Sequence, residues 1–291
     1  MKVRLRRAAA YLTAILLLSL CACSSPNTVA RRGDAKEKGL ELEVYFFAAG
    51  KADAILLTTE KSAVLIDCGK KGFGQTILEE LNARGITRID YLIITHFDQD
   101  HVGGAAKVIN SIPIGCVVQN DRPGNSEAYE KYLRVLDKAK VEPFTVNDSL
   151  TFVLDDVSFT VDPPQKDSYK HDNSNNSSLI VTVSCGEKTL LFMGDVQTER
   201  LKEFISTKAI DCDLLKHPHH GGADMEMEEL ITATMPEYAV ICCSREEPDT
   251  TSSMQILREY GVSTFMTSEA PVQVTCDGSS LTVQYEQEKG S

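Results

Sequence analysis

The chain has 291 residues, and the part beyond its N-terminal segment is long for one ordinary domain but within reach of a single layered α/β unit. A formal charge of −12 makes it a poor non-specific binder of nucleic acid, because a polyanion approaches an acidic body only where a local positive centre offsets it. Of nine cysteines, Cys21 and Cys23 sit near the N-terminus and the rest are odd in number, without paired spacing, which excludes a disulfide framework or a thiolate metal site.

The N-terminus places Lys2, Arg4, Arg6 and Arg7 ahead of an apolar run over 8–20. That run is too short to cross a bilayer as a mature helix and reads as a signal peptide spanning 1–22. Leu20-Cys21-Ala22-Cys23 resembles a bacterial lipobox, which makes Cys23 the expected lipidation site and the chain an exported protein held on the extracytoplasmic face of the cell membrane. Simple secretion is the alternative. Residues 23–39 are rich in Ser, Asn, Arg, Gly and Lys and read as a flexible tether, with one folded domain expected over 40–291.

Short β-branched runs at 42–47, 54–58 and 64–67 predict three strands, followed by a helix that stops at Gly85 and a very apolar strand at 91–95. The same alternation returns with a strand at 114–119, a helix at 126–138 and strands near 144, 157–161, 178–184 and 189–193. A helix at 198–206, strands at 213–216 and 238–243, a helix at 252–260 and terminal strands up to 283 complete the chain. Antiparallel runs interrupted by amphipathic helices predict two sheets packed face to face with helices outside. No internal period suggests a solenoid.

The densest chemistry is Thr95-His96-Phe97-Asp98-Gln99-Asp100-His101-Val102-Gly103-Gly104, directly after the apolar strand. Imidazole and carboxylate together suit zinc, manganese or iron, and the two glycines allow backbone to approach the loop closely. Asp195 follows a buried-type strand beside Gly194, and His219-His220 form a second imidazole pair. His171 lies in a polar stretch and reads as surface loop, and His217 as a structural or rim-lining residue. Lys51 and Lys216 are candidates to contact a phosphate if they point inward.

His-x-Asp-x-Asp-His-x-Gly-Gly over 96–104 resembles the metal motif of the metallo-β-lactamase superfamily, in the variant carried by the metallohydrolase domain of ComEC-type competence proteins. Phe47-Ala48-Ala49-Gly50-Lys51-Ala52-Asp53-Ala54, Ile66-Asp67-Cys68-Gly69, Asn175-Asn176-Ser177-Ser178-Leu179, Phe192-Met193-Gly194-Asp195 and Leu214-Leu215-Lys216-His217-Pro218-His219-His220-Gly221-Gly222 are similar to further family segments in the same order. The resemblance covers roughly 42–285. It departs at Ala48, Lys51 and Ala52, where the family has Asp, Gln and Gly. The histidine that many members carry just before the strand starting at Ser178 is missing, and no histidine lies beyond His220.

The resemblance implies an α/β fold, the four-layer αββα sandwich, with two divalent ions, zinc or else manganese. It implies His96, Asp98, Asp100, His101, Asp195, His219 and His220 as the metal set, with Asp195 bridging and Asp67 behind the metal loop. Asp100 would orient the attacking water, and one histidine of the 219–220 pair would ligate while the other faces substrate or donates a proton. The implied activity is metal-dependent hydrolysis of a phosphoester, on nucleic acid or a phosphorylcholine-type substrate, by a monomer. A lactam, lactone or carboxylic ester hydrolase, and a membrane-tethered binding module with reduced turnover, are the alternatives.

Overall fold

A computed structural model describes residues 41–208, 210–222 and 226–287. The expected signal peptide, the Cys23 lipidation site and the 23–39 tether lie outside the described residues. No helix among the described residues is long and apolar enough to cross a membrane.

The first half runs β1 (Leu42–Phe46), β2 (Ile55–Thr58), β3 (Ala63–Ile66), α1 (Gly74–Ala83), β4 (Ile89–Ile94), α2 (Gln99–Val102), α3 (Ala105–Ser111), β5 (Ile114–Gln119), α4 (Glu127–Ala139) and β6 (Phe144–Thr145). The second runs β7 (Leu150–Leu154), β8 (Val157–Asp162), α5 (Asn173–Asn176), β9 (Ile180–Cys185), β10 (Lys188–Phe192), α6 (Thr198–Thr207), β11 (Leu214–Lys216), a 3-10 turn (Pro218–Gly221), α7 (Met227–Thr234), β12 (Tyr238–Ile241), α8 (Thr251–Glu259) and β13 (Ser263–Met266). The chain then crosses back with β14 (Val272–Cys276) and β15 (Leu281–Tyr285).

One sheet has the order β15-β14-β1-β2-β3-β4-β5-β6 and the other β13-β12-β11-β10-β9-β8-β7. Strand side chains alternate between faces, so each sheet feeds two cores. Val44, Phe46, Ile55, Leu57 and Val64 of the first sheet meet Phe159, Val181, Val183, Leu190 and Phe192 of the second in the central core. The opposite faces pack helices: Leu56, Leu65 and Leu92 against α1, α3 and α4, and Leu191, Leu215 and Ile241 against α6, α7 and α8. Each such side chain, fully buried, contributes about 1.5–3 kcal/mol. The result is the expected four-layer αββα sandwich.

The strand directions differ from the antiparallel runs expected. β3–β4–β5–β6 and β10–β11–β12–β13 are parallel ladders, joined by helices that return the chain over the outer face. Strands covered on both faces lose the polar alternation that marks an open antiparallel sheet, and the apolar run 91–94 within β4 reflects this double cover. The parallel strands β3, β4, β10 and β11 all end at the same edge of the sandwich, where the turns after them carry the candidate site.

Candidate metal centre

The turn after β3 is the base of the site. Asp67 adopts a left-handed backbone (φ 57°), uncommon for a non-glycine residue, which turns its fully buried carboxylate towards the end of β4. There Oδ1 accepts the Thr95 backbone N–H at 2.8 Å and Oδ2 accepts the Thr95 hydroxyl at 2.6 Å and His101 Nδ1 at 2.8 Å. Because the Thr95 hydroxyl gives its proton to Asp67, its oxygen can only accept, and His96 Nδ1 lies 3.2 Å from it. Ser178 Oγ is also 3.2 Å from His96 Nδ1 and accepts the backbone N–H of Asp195 at 3.1 Å. His220 Nδ1 donates to the Cys242 carbonyl at 2.9 Å.

Each of these three rings is therefore fixed through Nδ1, which leaves Nε2 facing inward. The Nε2 atoms of His96, His101 and His220, together with Asp195 Oδ1, are buried and make no hydrogen bond. Asp195 Oδ2 lies 3.1 Å from His101 Nε2 and 3.0 Å from His220 Nε2, and Asp100 Oδ2 lies 3.4 Å from His220 Nε2. Asp98 Oδ2 is 3.7 Å from His96 Nε2, and its other oxygen accepts the Ser174 hydroxyl. Asp100, His101, Asp195 and His220 each offer an atom within 4.8 Å of the others. Buried unpaired polar atoms are costly, and this donor set of oriented imidazoles and carboxylates fits a divalent ion.

The electrostatics agree. Burial works against the charge on Asp195, but His101 and His220 outweigh it and hold the carboxyl far below the usual range. Burial likewise opposes charge on His220, yet Asp195 and Asp100 push its pKa up to about 9. Asp100 and Asp98 are also held low despite burial, by His220 and His96 respectively. Carboxylates and imidazoles thus favour each other's charged forms, and a dication held by the same carboxylates would take over that compensation.

The glycines behind the motif do what their spacing suggested. A Cβ on Gly104 would sit 2.3 Å from the Cys68 carbonyl oxygen, so only glycine lets the metal loop seat against the turn after β3.

The histidine pair divides. His219 (φ 46°) and His220 (φ 54°) both have left-handed backbones, a tight turn that sends consecutive rings to different places. His220 is fully buried in the group. His219 is partly exposed, accepts Gln197 Nε2 at Nδ1 at 2.9 Å, and is not among the four clustered donors. His217 is buried, its Nδ1 donating to the Pro218 carbonyl and its Nε2 without a hydrogen-bond partner, and burial lowers its pKa to about 4. His171 is exposed, as expected of a surface loop. Burial lowers the pKa of His219, and the charges of His220 and Lys51 lower it further. Lys216 points inward but is committed elsewhere: its ammonium bonds the Asp53 carboxylate.

Several contributors went unrecognised in the sequence. Ser178, just before β9, fixes His96 and the Asp195 backbone through its hydroxyl. Asn176 Oδ1 accepts the backbone N–H groups of Gln197 and Arg200, both at 3.1 Å, and so caps α6 beside Asp195. Asn120 Nδ2 donates to the carbonyls of Thr95 at 2.9 Å and Ser177 at 3.0 Å, tying the end of β5 to the metal loop. A cleft of about 290 Å³, lined by His96, Asp98, Asn120, Arg122, Asn125 and Ser174 among others, opens beside the site. The seven cysteines among the described residues are free thiols.

Residues 48–245 match the family described as the metallo-beta-lactamase superfamily. The chain is similar to ComE operon protein 3 of Bacillus subtilis, 28% identical over 59% of this chain and 22% of that protein. It is also similar to competence protein ComA of Neisseria gonorrhoeae, 28% identical over 69% of this chain and 27% of that one. It thus spans about a quarter of the length of these curated relatives. The fold is shared with the metallo-beta-lactamase fold protein YhfI of Bacillus subtilis (TM-score 0.51, 10% identity, 77% of this chain and 96% of that chain). It is shared too with a variant of CmlA beta-hydroxylase (TM-score 0.54, 15% identity, 81% and 53%). With a match over most of its folded residues and a His/Asp group at the shared edge of two facing sheets, this chain belongs to the metallo-β-lactamase superfamily.

Proposed function

We propose that the chain is a metal-dependent hydrolase of phosphoesters with a dinuclear centre, zinc being the first choice of ion and manganese the second. One observation carries the reading: Asp100, His101, Asp195 and His220 bring ligand atoms within 4.8 Å of one another, with Asp195 Oδ2 3.1 Å from His101 Nε2 and 3.0 Å from His220 Nε2, while both rings are anchored through Nδ1. His96 and Asp98 would hold one ion, Asp100 and His220 the other, with Asp195 between them and His101 against Asp195. Bound there, divalent ions supply concentrated positive charge that acidifies water and polarises the scissile bond.

The chain's own residues do the rest. Asp67, Thr95 and the Cys242 carbonyl set the imidazole tautomers. Asp100, only partly buried, is the carboxylate with access to solvent and is placed to orient the attacking water. The cleft beside His96 and Asp98 receives the substrate, and Arg122 brings a cation to its wall. Its volume suits one compact group rather than a stretch of polymer, which favours a small phosphoester such as a phosphorylcholine-type headgroup over nucleic acid. Export on an N-terminal lipid at Cys23 would bring such a site to membrane lipids.

The test is metal-stripped protein reconstituted with Zn²⁺ or Mn²⁺ and assayed on phosphomonoesters, phosphodiesters, a lactam and a lactone. Metal-restored turnover of a phosphoester above the other classes is the expected result. Full activity without metal ends the hydrolase reading, and turnover of the lactam or lactone alone redirects it.

A further inference from the structure

The end of β11 carries a buried charge that the metal set leaves unexplained. Lys216 is fully buried. Its ammonium bonds the Asp53 carboxylate, donates to the Gly194 carbonyl at 2.9 Å and lies 3.6 Å from Asp195 Oδ1. Taking both charges out of water is expensive, and an apolar pair of similar volume would often be as stable. A fold that keeps such a pair beside a metal centre has a use for it.

The contacts of Asp53 show what the pair reaches. Its backbone N–H donates to the Asp100 carbonyl at 3.1 Å and its carbonyl accepts the Gly69 N–H at 2.7 Å. Asp53 Oδ1 lies 3.5 Å from His220 Nδ1 and Oδ2 lies 4.0 Å from His101 Nδ1. Lys216 and Asp53 thus touch, from the rear, the segments that carry Asp100, His101, Asp195 and His220. Asp53, Asp67 and His101 also form a second group whose geometry could hold a cation, and the cation lying on Asp53 there is the Lys216 ammonium.

We propose that Lys216 and Asp53 are positioning residues of the metal centre. The ammonium serves as a resident cation that fixes Asp195 and the Asp53 carboxylate, and it fills the rear acidic group so that divalent ions stay on the side of Asp100, Asp195 and His220. This rests on the metal-dependent reading above.

The test uses the whole chain stripped of metal, with Co²⁺ as probe and three readouts: affinity, the visible absorption band, and the melting temperature of the metal-free protein. Asp53→Asn keeps the shape and removes one charge; the double variant Asp53→Asn, Lys216→Met removes both, so that the interior holds no lone charge if the single variant folds poorly. Both should bind Co²⁺ about 10-fold or more weakly, the scale of loss usual when a group behind a metal ligand is removed, with a changed absorption band. Wild-type affinity and band in the variants, with only the melting temperature lowered, would overturn the positioning role and leave the metal reading standing. A wild-type protein that takes up no Co²⁺ would overturn both.

Discussion

His101 Nδ1 donates to Asp67 Oδ2 at 2.8 Å, with both side chains fully buried and the same oxygen accepting the Thr95 hydroxyl. Two metal-loop residues are thereby locked to a turn in the neighbouring strand. Asp67→Ala frees the ring and leaves Thr95 without its acceptor. Zn²⁺ affinity, measured by competition with a chelating dye, should fall by about 10–100-fold. Asp67→Asn should lose less, since an amide oxygen still accepts from Nδ1. Equal losses in the two variants would place the effect in packing rather than in ring orientation.

The turn that splits His219 from His220 predicts unequal outcomes from two adjacent substitutions. His220→Ala removes a buried Nε2 within 3.0 Å of Asp195, so metal content by elemental analysis should drop by at least one equivalent per chain. His219→Ala should leave metal content unchanged and lower turnover instead, because that ring stands partly exposed beside Gln197 and Lys51. The reverse pattern would exchange the two assignments.

These two residues also mark where the sequence stops being informative. His96, Asp98, Asp100 and His101 crowd into one turn after the apolar run 91–94, a composition rare in a solvated loop, so the candidate centre was legible there. Choosing between His219 and His220 depends on two left-handed backbone conformations that no residue type announces. The Lys216–Asp53 pair joins residues far apart in the chain, and nothing in the sequence pairs the lysine, read as a candidate phosphate contact, with that aspartate. The layered fold was visible in the alternation of runs and helices, whereas the parallel direction of β3–β6 and β10–β13 was not, because double burial erases the two-residue period. Ser178 and Asn120 act through hydroxyl and amide hydrogen bonds, which leave no trace in spacing.

Asp155, in the turn between β7 and β8, offers a test remote from the metal. Its Oδ2 accepts the Thr59 hydroxyl at 2.7 Å, the Lys61 backbone N–H at 2.9 Å and the Ser62 hydroxyl at 3.1 Å, stitching one sheet to the turn between β2 and β3 in the other. The Thr59 hydrogen bond, with the two beside it, holds its carboxyl below the usual range. A depressed carboxyl contributes stability that is present above its unfolded value of about 3.9 and lost as pH falls through the folded value. Asp155→Asn should therefore lower stability slightly at neutral pH, by less than a buried carboxylate would because solvent screens these contacts, read from urea unfolding. The gap to wild type should close as pH drops below about 4. A gap that stays constant with pH would assign the loss to shape rather than charge.

Metal removal should be visible in stability as well as in turnover. Asp100 and Asp195 crowd into a small volume with His101 and His220, and the Lys216 ammonium lies behind Asp195. An ion that binds the folded chain and not the unfolded one stabilises it by mass action, about 2.7 kcal/mol at a hundred times its dissociation constant. For a chain of this size that corresponds to a rise in melting temperature of several degrees. Zn²⁺ should produce this rise in scanning calorimetry, and a chelator should reverse it. Asp195→Asn should abolish the rise and also lower the metal-free melting temperature, because the amide no longer offsets the charge of the rings and the ammonium beside it. A Zn²⁺-induced rise that survives in Asp195→Asn would mean that the ion stabilises the chain from somewhere other than this turn.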